Sequence, residues 1–501
     1  MNDKSVIIIG AGMAGLCGGC YLQMNGYRTT IFEMHDKPGG LCTAWQRKGY
    51  TIDGCLHWLV GSGPGTGLYR LWQEVGAIQG REILNMDRFA IYESPDGRRL
   101  ELFTDLGRLE EHMLGLAPED GTLIKEFIGG ARAFIDFDMP VDKAPELYTA
   151  WDGLKMTGGI LPKMRQLMKW KGKTTSDFIA RIKSPLVREG IASLWPPESG
   201  IFFLLMTLAW MHKKTAGYPL GGSLPFAKAI EKRYLDLNGQ VRYKAKVAKV
   251  LVENNRSIGV RLADSSEHHA DLVISAADGH STIFDMLEGK YINDKIRGYY
   301  ETLPTFTPLL FIGLGVNRRF DDVPQTTSGI SFPLGKPVTI TGAEVNRLSV
   351  RIHNFDPSLT PPGKTALTIM LPADWDYWRH LREDMPRYRE EKDRVADAVI
   401  AALEQRFPDI TAQIEMRDVA TPVTFNRYTG NWKGIFEGWL PPVNSFFMRM
   451  DKTLPGLDNF YLTGQWVEPG GGVPSGVLSG RNVTQIMCKR DGKKFTTSLP
   501  E

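Results

Sequence analysis

Cysteine is scarce in this sequence of 501 residues. The five that occur are Cys17, Cys20, Cys42, Cys55 and Cys488. A disulfide-stabilised secreted protein carries a much denser set. A secretory leader is not evident either, because the apolar residues of a first strand begin at Val6 and leave no room for a charged region and a cleavage site. We therefore expect a reducing, cytoplasmic location.

Long apolar runs and an excess of one charge are also missing. The longest apolar run, residues 201–211, has about half of the ~20 residues that a membrane-spanning helix needs, so it is better explained as a core helix or the wall of a substrate tunnel. Lys and Arg total 60 against 57 Asp and Glu. That balance gives no electrostatic footprint for a nucleic-acid partner. No metal-ligand spacing stands out, since His268-His269 is typical of a solvated loop.

Glycine is the enriched residue, with 53 in the chain. Residues 6–9 form a β-branched run typical of a strand buried on both faces. Residues 10–15 (Gly-Ala-Gly-Met-Ala-Gly) match G-x-G-x-x-G directly after this strand and at the start of a helix. In that context the three glycines serve a tight turn, a close backbone approach to a pyrophosphate and helix–strand packing. The pattern predicts a dinucleotide site with its phosphates on the helix N-terminus.

An acidic residue follows where a ribose is expected. Glu33 ends the second predicted strand, residues 29–33, close to the ~20-residue spacing at which a carboxylate hydrogen-bonds a ribose and repels a 2′-phosphate. Beyond it, residues 37–41 (Lys-Pro-Gly-Gly-Leu) would let a second stretch of backbone close over the pyrophosphate or ribityl chain of a longer cofactor. The fingerprint alone does not separate NAD from FAD, and this second glycine pair favours FAD.

The C-terminal part supplies another glycine-rich element. Residues 461–465 are typical of a strand followed by a turn, and residues 469–476 (Pro-Gly-Gly-Gly-Val-Pro-Ser-Gly) open onto a helix. The N-terminal amides of that helix would face the electron-rich edge of a flavin ring. No second G-x-G-x-x-G with its strand and helix occurs in the sequence, which argues against a separate NADPH domain.

These motifs, at both ends of one chain, resemble the flavoprotein superfamily that contains amine oxidases, carotenoid desaturases and Rab GDP-dissociation inhibitors. Within it the sequence is most similar to phytoene desaturases, carotenoid isomerases and retinol saturases. The segments that carry the resemblance are 10–15, Glu33, 38–40, 50–57, 219–223, 270–278 and 463–476. Further matches at 356–363 and 421–425 extend it across nearly the whole chain.

The resemblance implies a fold of the α/β (α+β) class with two domains. A Rossmann-type FAD-binding domain is built from the discontinuous segments 1–76, 221–290 and 441–501. A substrate domain of mixed sheet and helices, from 77–220 and 291–440, is inserted into it. The implied reaction is desaturation, saturation or cis-trans isomerisation at C=C/C–C bonds of a lipophilic isoprenoid or polyene. The external electron donor or acceptor stays unknown.

The resemblance also assigns cofactor contacts residue by residue. They are Gly12 and Gly15 at the pyrophosphate, Glu33 at the adenosine ribose, Gly39, Gly40 and Leu41 along the ribityl side, Val247 at the adenine, and Gly464, Gln465, Val473 and Pro474 at the isoalloxazine. Gly10, Ala14, Met34 and Lys37 are further expected cofactor contacts. Gln465 departs from the family, which often has Asp there, so the charge expected near the phosphate or ribityl group is absent. Since no cysteine lies in 463–476, we expect the FAD to be noncovalent.

His57 is the candidate catalytic side chain. It follows Asp53-Gly54, an element that in relatives approaches the flavin, and an imidazole there could donate or remove a proton. A structural role is the other interpretation. A nucleophile or metal is not required, because the flavin ring carries the hydride.

Two other functions remain compatible with the resemblance. A flavin amine oxidase commonly uses an aromatic cage, for which Trp432, Phe436 and Trp439 are candidates. A non-enzymatic prenyl-lipid binding protein of the GDP-dissociation-inhibitor type would keep the architecture without the flavin, which the intact glycines and Glu33 disfavour.

Two further patterns have a plain structural interpretation beside a functional one. Cys17-x-x-Cys20 has redox-pair spacing, but its place inside the first helix favours small-residue packing against the sheet. Residues 154–173 mix basic and apolar side chains, which is typical of an ordinary surface helix or of peripheral membrane contact. The insoluble substrate that the resemblance implies favours the membrane.

Overall fold

The computed structural model describes residues 3–152, 168–441, 443 and 450–500. Its strands, in chain order, are β1 (Ser5–Ile9), β2 (Arg28–Phe32), β3 (Ala44–Arg47), β4 (Tyr50–Asp53), β5 (Leu59–Val60), β6 (Ile83–Leu84), β7 (Arg88–Glu93), β8 (Arg99–Phe103), β9 (Ala216–Pro219), β10 (Gln240–Arg242), β11 (Val247–Glu253), β12 (Arg256–Leu262), β13 (Glu267–His269), β14 (Leu272–Ser275), β15 (Leu309–Val316), β16 (Ile330–Ile340), β17 (Ala343–Ile352), β18 (Thr365–Pro372), β19 (Ile414–Ala420) and β20 (Phe460–Leu462).

The α-helices of the described ranges are α1 (Met13–Met24), α2 (Gly67–Glu74), α3 (Leu106–Leu116), α4 (Gly121–Arg132), α5 (Thr175–Ile179), α6 (Pro185–Ala192), α7 (Ile201–His212), α8 (Ser223–Asp236), α9 (Asp294–Thr302), α10 (Trp375–Leu381), α11 (Met385–Arg406), α12 (Ile410–Gln413), α13 (Pro422–Thr429) and α14 (Gly472–Arg490). None of them is long and apolar enough to cross a membrane.

A five-stranded parallel sheet joins three distant parts of the chain. Its strand order is β10-β2-β1-β14-β20. β1 lies at its centre, between β2, where Val6 is opposite Thr29, and β14, where Ile7 is opposite Val273. The apolar β1 run has no alternation because both of its faces are covered, as in other parallel sheets. The predicted Rossmann-type arrangement of discontinuous segments is confirmed, whereas the domain limits given above stay a prediction.

A second, seven-stranded sheet forms the other half of the molecule. Its order is β19-β15-β18-β17-β16-β7-β8, antiparallel except where β16 runs parallel to β7. α11 packs on it through Val395, Val399 and Leu403, which are fully buried at the helical spacing of one apolar face. Strands from residues 88–103 and 309–420 therefore share one sheet, as the predicted mixed substrate domain requires.

The apolar run at 201–211 forms helix α7 within a separate core. Leu204, Leu205 and Leu208 are fully buried there, in a cluster that also contains residues of β7, β8 and α4. An all-round apolar helix of this kind is typical of a protein interior. The core-helix interpretation is confirmed.

The hairpin of β3 and β4 connects the two sheets. On β15, Gly315 lies against Tyr50 of β4 and Gly313 lies against Ile52. A Cβ atom on either glycine would come within 2.7 Å of the facing side chain. The glycines of β15 therefore let the hairpin lie directly on the second sheet.

Helices α1 and α14 cross at a pair of glycines. A Cβ atom built on Gly480 would lie 2.7 Å from the Gly18 nitrogen and 2.9 Å from the Ala14 oxygen. Cys17 and Cys20 are fully buried in the same helix, and burial raises the pKa of both thiols. The two cysteines thus fill small-residue positions in the core, as the packing interpretation predicts.

We expect Gly480→Ala to lower the free energy of unfolding by about 1–3 kcal/mol, because the added methyl group forces the two helices apart. The matched control is Gly129→Ala in α4, where a Cβ atom meets nothing within 4 Å. That change should raise stability by about 0.5–1 kcal/mol through helix propensity. Urea unfolding measures both, and equal effects would contradict the close crossing.

Candidate active site

The turn between β1 and α1 has a separate use for each fingerprint glycine. Gly10 has a φ of +96°, and its nitrogen donates a hydrogen bond to the Phe32 oxygen at 2.8 Å. A Cβ atom on Gly15 would overlap the Gly10 carbonyl, whereas one on Gly12 would meet nothing within 4 Å. The turn, the packing contact and the open approach for a ligand are therefore all present.

Glu33 lies beside this turn at the end of β2. Its carboxylate accepts hydrogen bonds of 2.7 Å from the Ala11 and His35 nitrogens, and the residue is 6% exposed. Burial raises the pKa of Glu33, and the two N–H donors oppose that rise. The carboxylate is thus held next to the glycine turn, where a ribose hydroxyl could become a further partner.

The second glycine pair folds over the first turn. The Gly39 nitrogen donates to the Ala11 oxygen at 2.8 Å, and a Cβ atom on Gly40 would lie 3.2 Å from the Gly12 Cα. Both residues have positive φ, +107° and +61°, which glycine adopts without strain. Leu41 follows and is half-buried. The second glycine pair therefore lies against the first turn, and its closure over a pyrophosphate or ribityl chain stays a prediction.

The remaining residues predicted on the adenosine and ribityl sides surround the same region. Val247 is buried. Two residues before it, the Ala245 nitrogen donates a hydrogen bond to the Glu33 carbonyl oxygen at 2.8 Å. Met34 is half-buried next to Gly430. The Lys37 ammonium donates to the Ala44 oxygen at 3.1 Å, so its charge is directed at the backbone of β3.

The C-terminal block closes on the first turn of α1. The Gly464 nitrogen donates to Ser479 Oγ at 2.9 Å, and a Cβ atom on Gly464 would lie 3.4 Å from the Ala14 Cβ. A Cβ atom on Gly476 would lie 2.9 Å from the Met13 Cβ. The structure therefore brings together glycine motifs from the two ends of the chain.

The starts of α1 and α14 provide free hydrogen-bond donors. Neither helix has a side-chain cap, and α14 begins with Val473 buried and Pro474 half-buried in its first turn. Uncapped N–H groups and the positive end of the helix dipole favour an anionic or electron-rich ligand. Thr463, which directly precedes Gly464, is buried, and its Oγ1 has no hydrogen-bond partner among the described residues. These features fit FAD.

Gln465 is half-buried and packs against Gly438, whose Cβ position lies 3.3 Å from the Gln465 Cγ. An uncharged amide at this position agrees with its enclosed surroundings, because a carboxylate there would lose hydration.

His57 is held at the junction of the two sheets by a buried arginine. Arg351, on β17, donates to the Leu56 oxygen at 3.0 Å and to the His57 oxygen at 3.2 Å. Burial, and next the Arg351 charge, hold the pKa of His57 well below its usual range. His57 is therefore neutral at neutral pH, which suits a proton acceptor or a structural hydrogen-bonding group better than a proton donor.

The buried polar cluster around Arg351 was not predicted from the sequence. Asp53 accepts hydrogen bonds of 3.2 Å from the Ser223 nitrogen and the Tyr218 hydroxyl. The Arg351 guanidinium lies over the Tyr218 ring at 5.3 Å. Asp53 and Ser223 lie in segments that carry the resemblance, whereas nothing in the local sequence of β17 distinguishes Arg351 from an exposed strand residue.

The candidate aromatic cage is closed. Trp439 is buried, lies edge-on to Trp466 at 4.9 Å and donates from Nε1 to the Trp466 oxygen at 3.2 Å. Trp432 stacks on His280 at 4.6 Å, and Phe436 packs on Phe306. Each ring has a neighbouring ring as its partner, so these three aromatics form part of the core.

A comparison with known protein families identifies the group to which this arrangement belongs. The flavin containing amine oxidoreductase family matches residues 13–488. The chain belongs to this family. Its combination of fold, cofactor motifs and family makes it an FAD-dependent oxidoreductase, as predicted.

Individual relatives match over nearly the full length. The chain is 26% identical to a lycopene-forming phytoene desaturase from Paracoccus sp., with 97% of both chains covered. It is 24% identical to a chloroplastic prolycopene isomerase from Daucus carota, covering 97% of this chain and 79% of the relative. A solved oxidoreductase from Methanosarcina mazei has a TM-score of 0.61 at 19% identity, covering 96% of this chain and all of that one. That last likeness shows the fold.

We expect folding stability to fall with acid because of His57, which is half-buried, and His353, which is buried. Burial holds the pKa of His57 and of His353 well below the usual range, so both stay neutral in the folded chain. The unfolded chain takes up these protons below about pH 6.5, and each group then removes up to about 1.4 kcal/mol per pH unit. Between about pH 7 and about pH 5, His353→Gln should therefore lose up to about 2 kcal/mol less stability than the wild type.

Urea unfolding across that pH range measures the difference. The control is His269→Gln, since His269 has an exposed side chain and should leave the pH slope unchanged. Equal slopes in all three proteins would show that His353 titrates normally.

Proposed function

We propose that this protein catalyses desaturation, saturation or cis-trans isomerisation of a lipophilic isoprenoid or polyene. The observation that carries the proposal is the nearly full-length similarity to proteins named phytoene desaturase and prolycopene isomerase. The structure adds apolar side chains next to the glycine-rich loop 469–472. A Cβ atom on Gly470 would lie 3.6 Å from Pro441 and 4.0 Å from Phe203 of α7, so hydrocarbon side chains surround the place where substrate and cofactor would meet.

The cofactor contacts are part of the same proposal, and the geometry described above supports them. Glu33, with Met34, would bind the ribose, and the Gly12 to Gly15 turn would face the pyrophosphate. Gly39 to Leu41 would cover the ribityl side, and the first turn of α14 would donate to the ring. FAD, when bound, supplies the chemistry of accepting and returning a hydride. The chain's own task is to orient the substrate and exclude water.

The amine oxidase alternative has less support from the structure. Trp432 and Trp439 pack against Trp466, and Phe436 packs against Phe306. Each candidate ring thus has another core aromatic as its partner, whereas a cage needs rings that face a shared cation. The prenyl-lipid binder requires a chain that does not hold flavin, and the open, uncapped glycine turns do not favour it.

We expect purified protein to show the visible absorption bands of a flavin, and acid precipitation to leave the FAD in the supernatant. Anaerobic incubation with polyenes of increasing saturation should then change the absorption of substrate and flavin together. Glu33→Gln should weaken FAD binding by about tenfold to a hundredfold, because a charge-assisted hydrogen bond is worth about 1.5–3 kcal/mol.

Glu267→Gln is the matched control. Glu267 forms a surface ion pair with Arg261 within the predicted FAD-binding domain, and such pairs contribute little to stability. A yellow pellet would contradict noncovalent binding. Hydrogen peroxide release on addition of amines would favour the amine oxidase, and a colourless protein that refuses FAD would favour the lipid binder.

We also propose that the segment 154–173 contacts a membrane surface, from which an insoluble substrate could enter. Most of this segment lies outside the described residues. Trp151, three residues before the segment, is 63% exposed, and Met168, within it, is 58% exposed. Trp170 is buried in the α4 and α7 core. Exposed apolar side chains beside basic residues are typical of interfacial binding.

Flotation with anionic lipid vesicles at low salt should recover the wild type with the lipid. The double variant Trp151→Ser/Met168→Ser should float several-fold less. Leu499→Ser removes an equally exposed apolar residue, 57% exposed, outside the segment and should float like the wild type. A wild type that stays at the bottom of the gradient would overturn the membrane contact.

A further inference from the structure

One carboxyl group lies against both C-terminal cofactor motifs. A Cβ atom on Gly471 would lie 2.5 Å from the Glu437 carbonyl oxygen, and one on Gly472 would lie 3.6 Å from Glu437 Oε1. The next residue, Gly438, packs on Gln465. Glu437 is therefore positioned at the start of α14, next to the loop whose other side meets Phe203 and Pro441.

Among the described residues, the Glu437 carboxyl makes no hydrogen bond or ion pair. The neighbouring backbone is hydrogen-bonded: the Phe306 nitrogen donates to the Gly438 oxygen at 3.1 Å, and the Leu440 nitrogen donates to the Pro304 oxygen at 2.9 Å. A desolvated carboxylate without a partner is costly, and such groups concentrate at functional sites.

Few charges lie near Glu437 among the described residues. Residues 303–306, residues 200–206 and the first turn of α14 are uncharged. On the loop 464–472 the charged residue is Glu468, which pairs with Lys452 at 2.9 Å. Lys452 also pairs with Glu146. Glu437 is half-buried, and this burial raises the pKa of its carboxyl to about 7.

We propose that Glu437 is the proton-exchanging residue of the flavin site. In the desaturating direction, a saturated carbon pair loses a hydride, with its two electrons, to the bound flavin and loses a proton to the Glu437 carboxylate. The carbon pair becomes a double bond and the carboxyl becomes neutral. In the saturating direction the neutral carboxyl returns the proton. The inference rests on the flavin, and its direction rests on the proposed carbon–carbon chemistry.

The same position couples Glu437 to the charge on the flavin. Two electrons added beside a carboxylate make its charged form less favourable, so its pKa rises and it takes up a proton. A group that binds a proton only in the reduced protein makes the reduction potential more dependent on pH. This dependence can be measured without any knowledge of the lipid.

The test is the midpoint potential of the FAD-loaded protein, measured by dye-coupled reduction between about pH 6 and about pH 9. Above about pH 7, where Glu437 is ionised in the oxidised protein, we expect the change of potential per pH unit to be up to about twice as large in the wild type as in Glu437→Gln, because the variant lacks the second proton. Glu437→Asp keeps a carboxyl and should restore part of the slope. Glu383→Gln makes the same chemical change at an exposed position and should match the wild type.

Flavin content and thermal unfolding of each variant confirm that it is folded and loaded. Equal slopes in the wild type and in loaded Glu437→Gln would overturn the inference, as would a wild type that binds no flavin. If the slopes differ as expected but no polyene is converted, Glu437 keeps its role and the proposed substrate is wrong.

Discussion

The close crossing of α1 and α14 at Gly18 and Gly480 is the contact on which the site depends. Because both residues at the crossing are glycines, the two backbones come so close that a Cβ atom on Gly480 would lie 2.7 Å from the Gly18 nitrogen. This approach brings Gly464 and Gly476 against the first turn of α1. Two helix N-termini from opposite ends of the chain thereby open on one region, where their free N–H groups supply donors that neither helix supplies alone.

A second constraint fixes the other half of the molecule to this region. Arg351 extends from the seven-stranded sheet to the carbonyl oxygens of Leu56 and His57, and it is 5% exposed. Burying a guanidinium is unfavourable unless its donors are satisfied and opposite charges lie near, and Asp53 and Asp356 contribute that charge. The cluster makes the position of His57 depend on both sheets, and the same burial keeps its imidazole neutral.

The charged groups at Arg351 and at Glu437 have different surroundings. Around Arg351, two backbone carbonyl oxygens accept hydrogen bonds from the guanidinium, and Asp53 accepts from Ser223 and Tyr218. Arg351 Nε has no hydrogen-bond partner among the described residues. At Glu437 the carboxyl is left without a partner among the described residues, and its pKa of about 7 lets it change charge near neutral pH. A group that must gain and lose a proton during turnover works best when its pKa is near the operating pH.

The cofactor class, the Rossmann-type arrangement and the family resemblance could be predicted from the sequence, because they follow from local requirements: glycine where φ is positive or a backbone must approach, and a carboxylate at the end of the second strand. The burial of Cys17, Cys20 and residues 201–211 could be predicted as well. The charge state of His57, the closure of the Trp439 cluster and the surroundings of Arg351 and Glu437 became visible in the folded structure alone. Those properties depend on burial and on partners hundreds of residues away in the chain, for which no short sequence pattern exists.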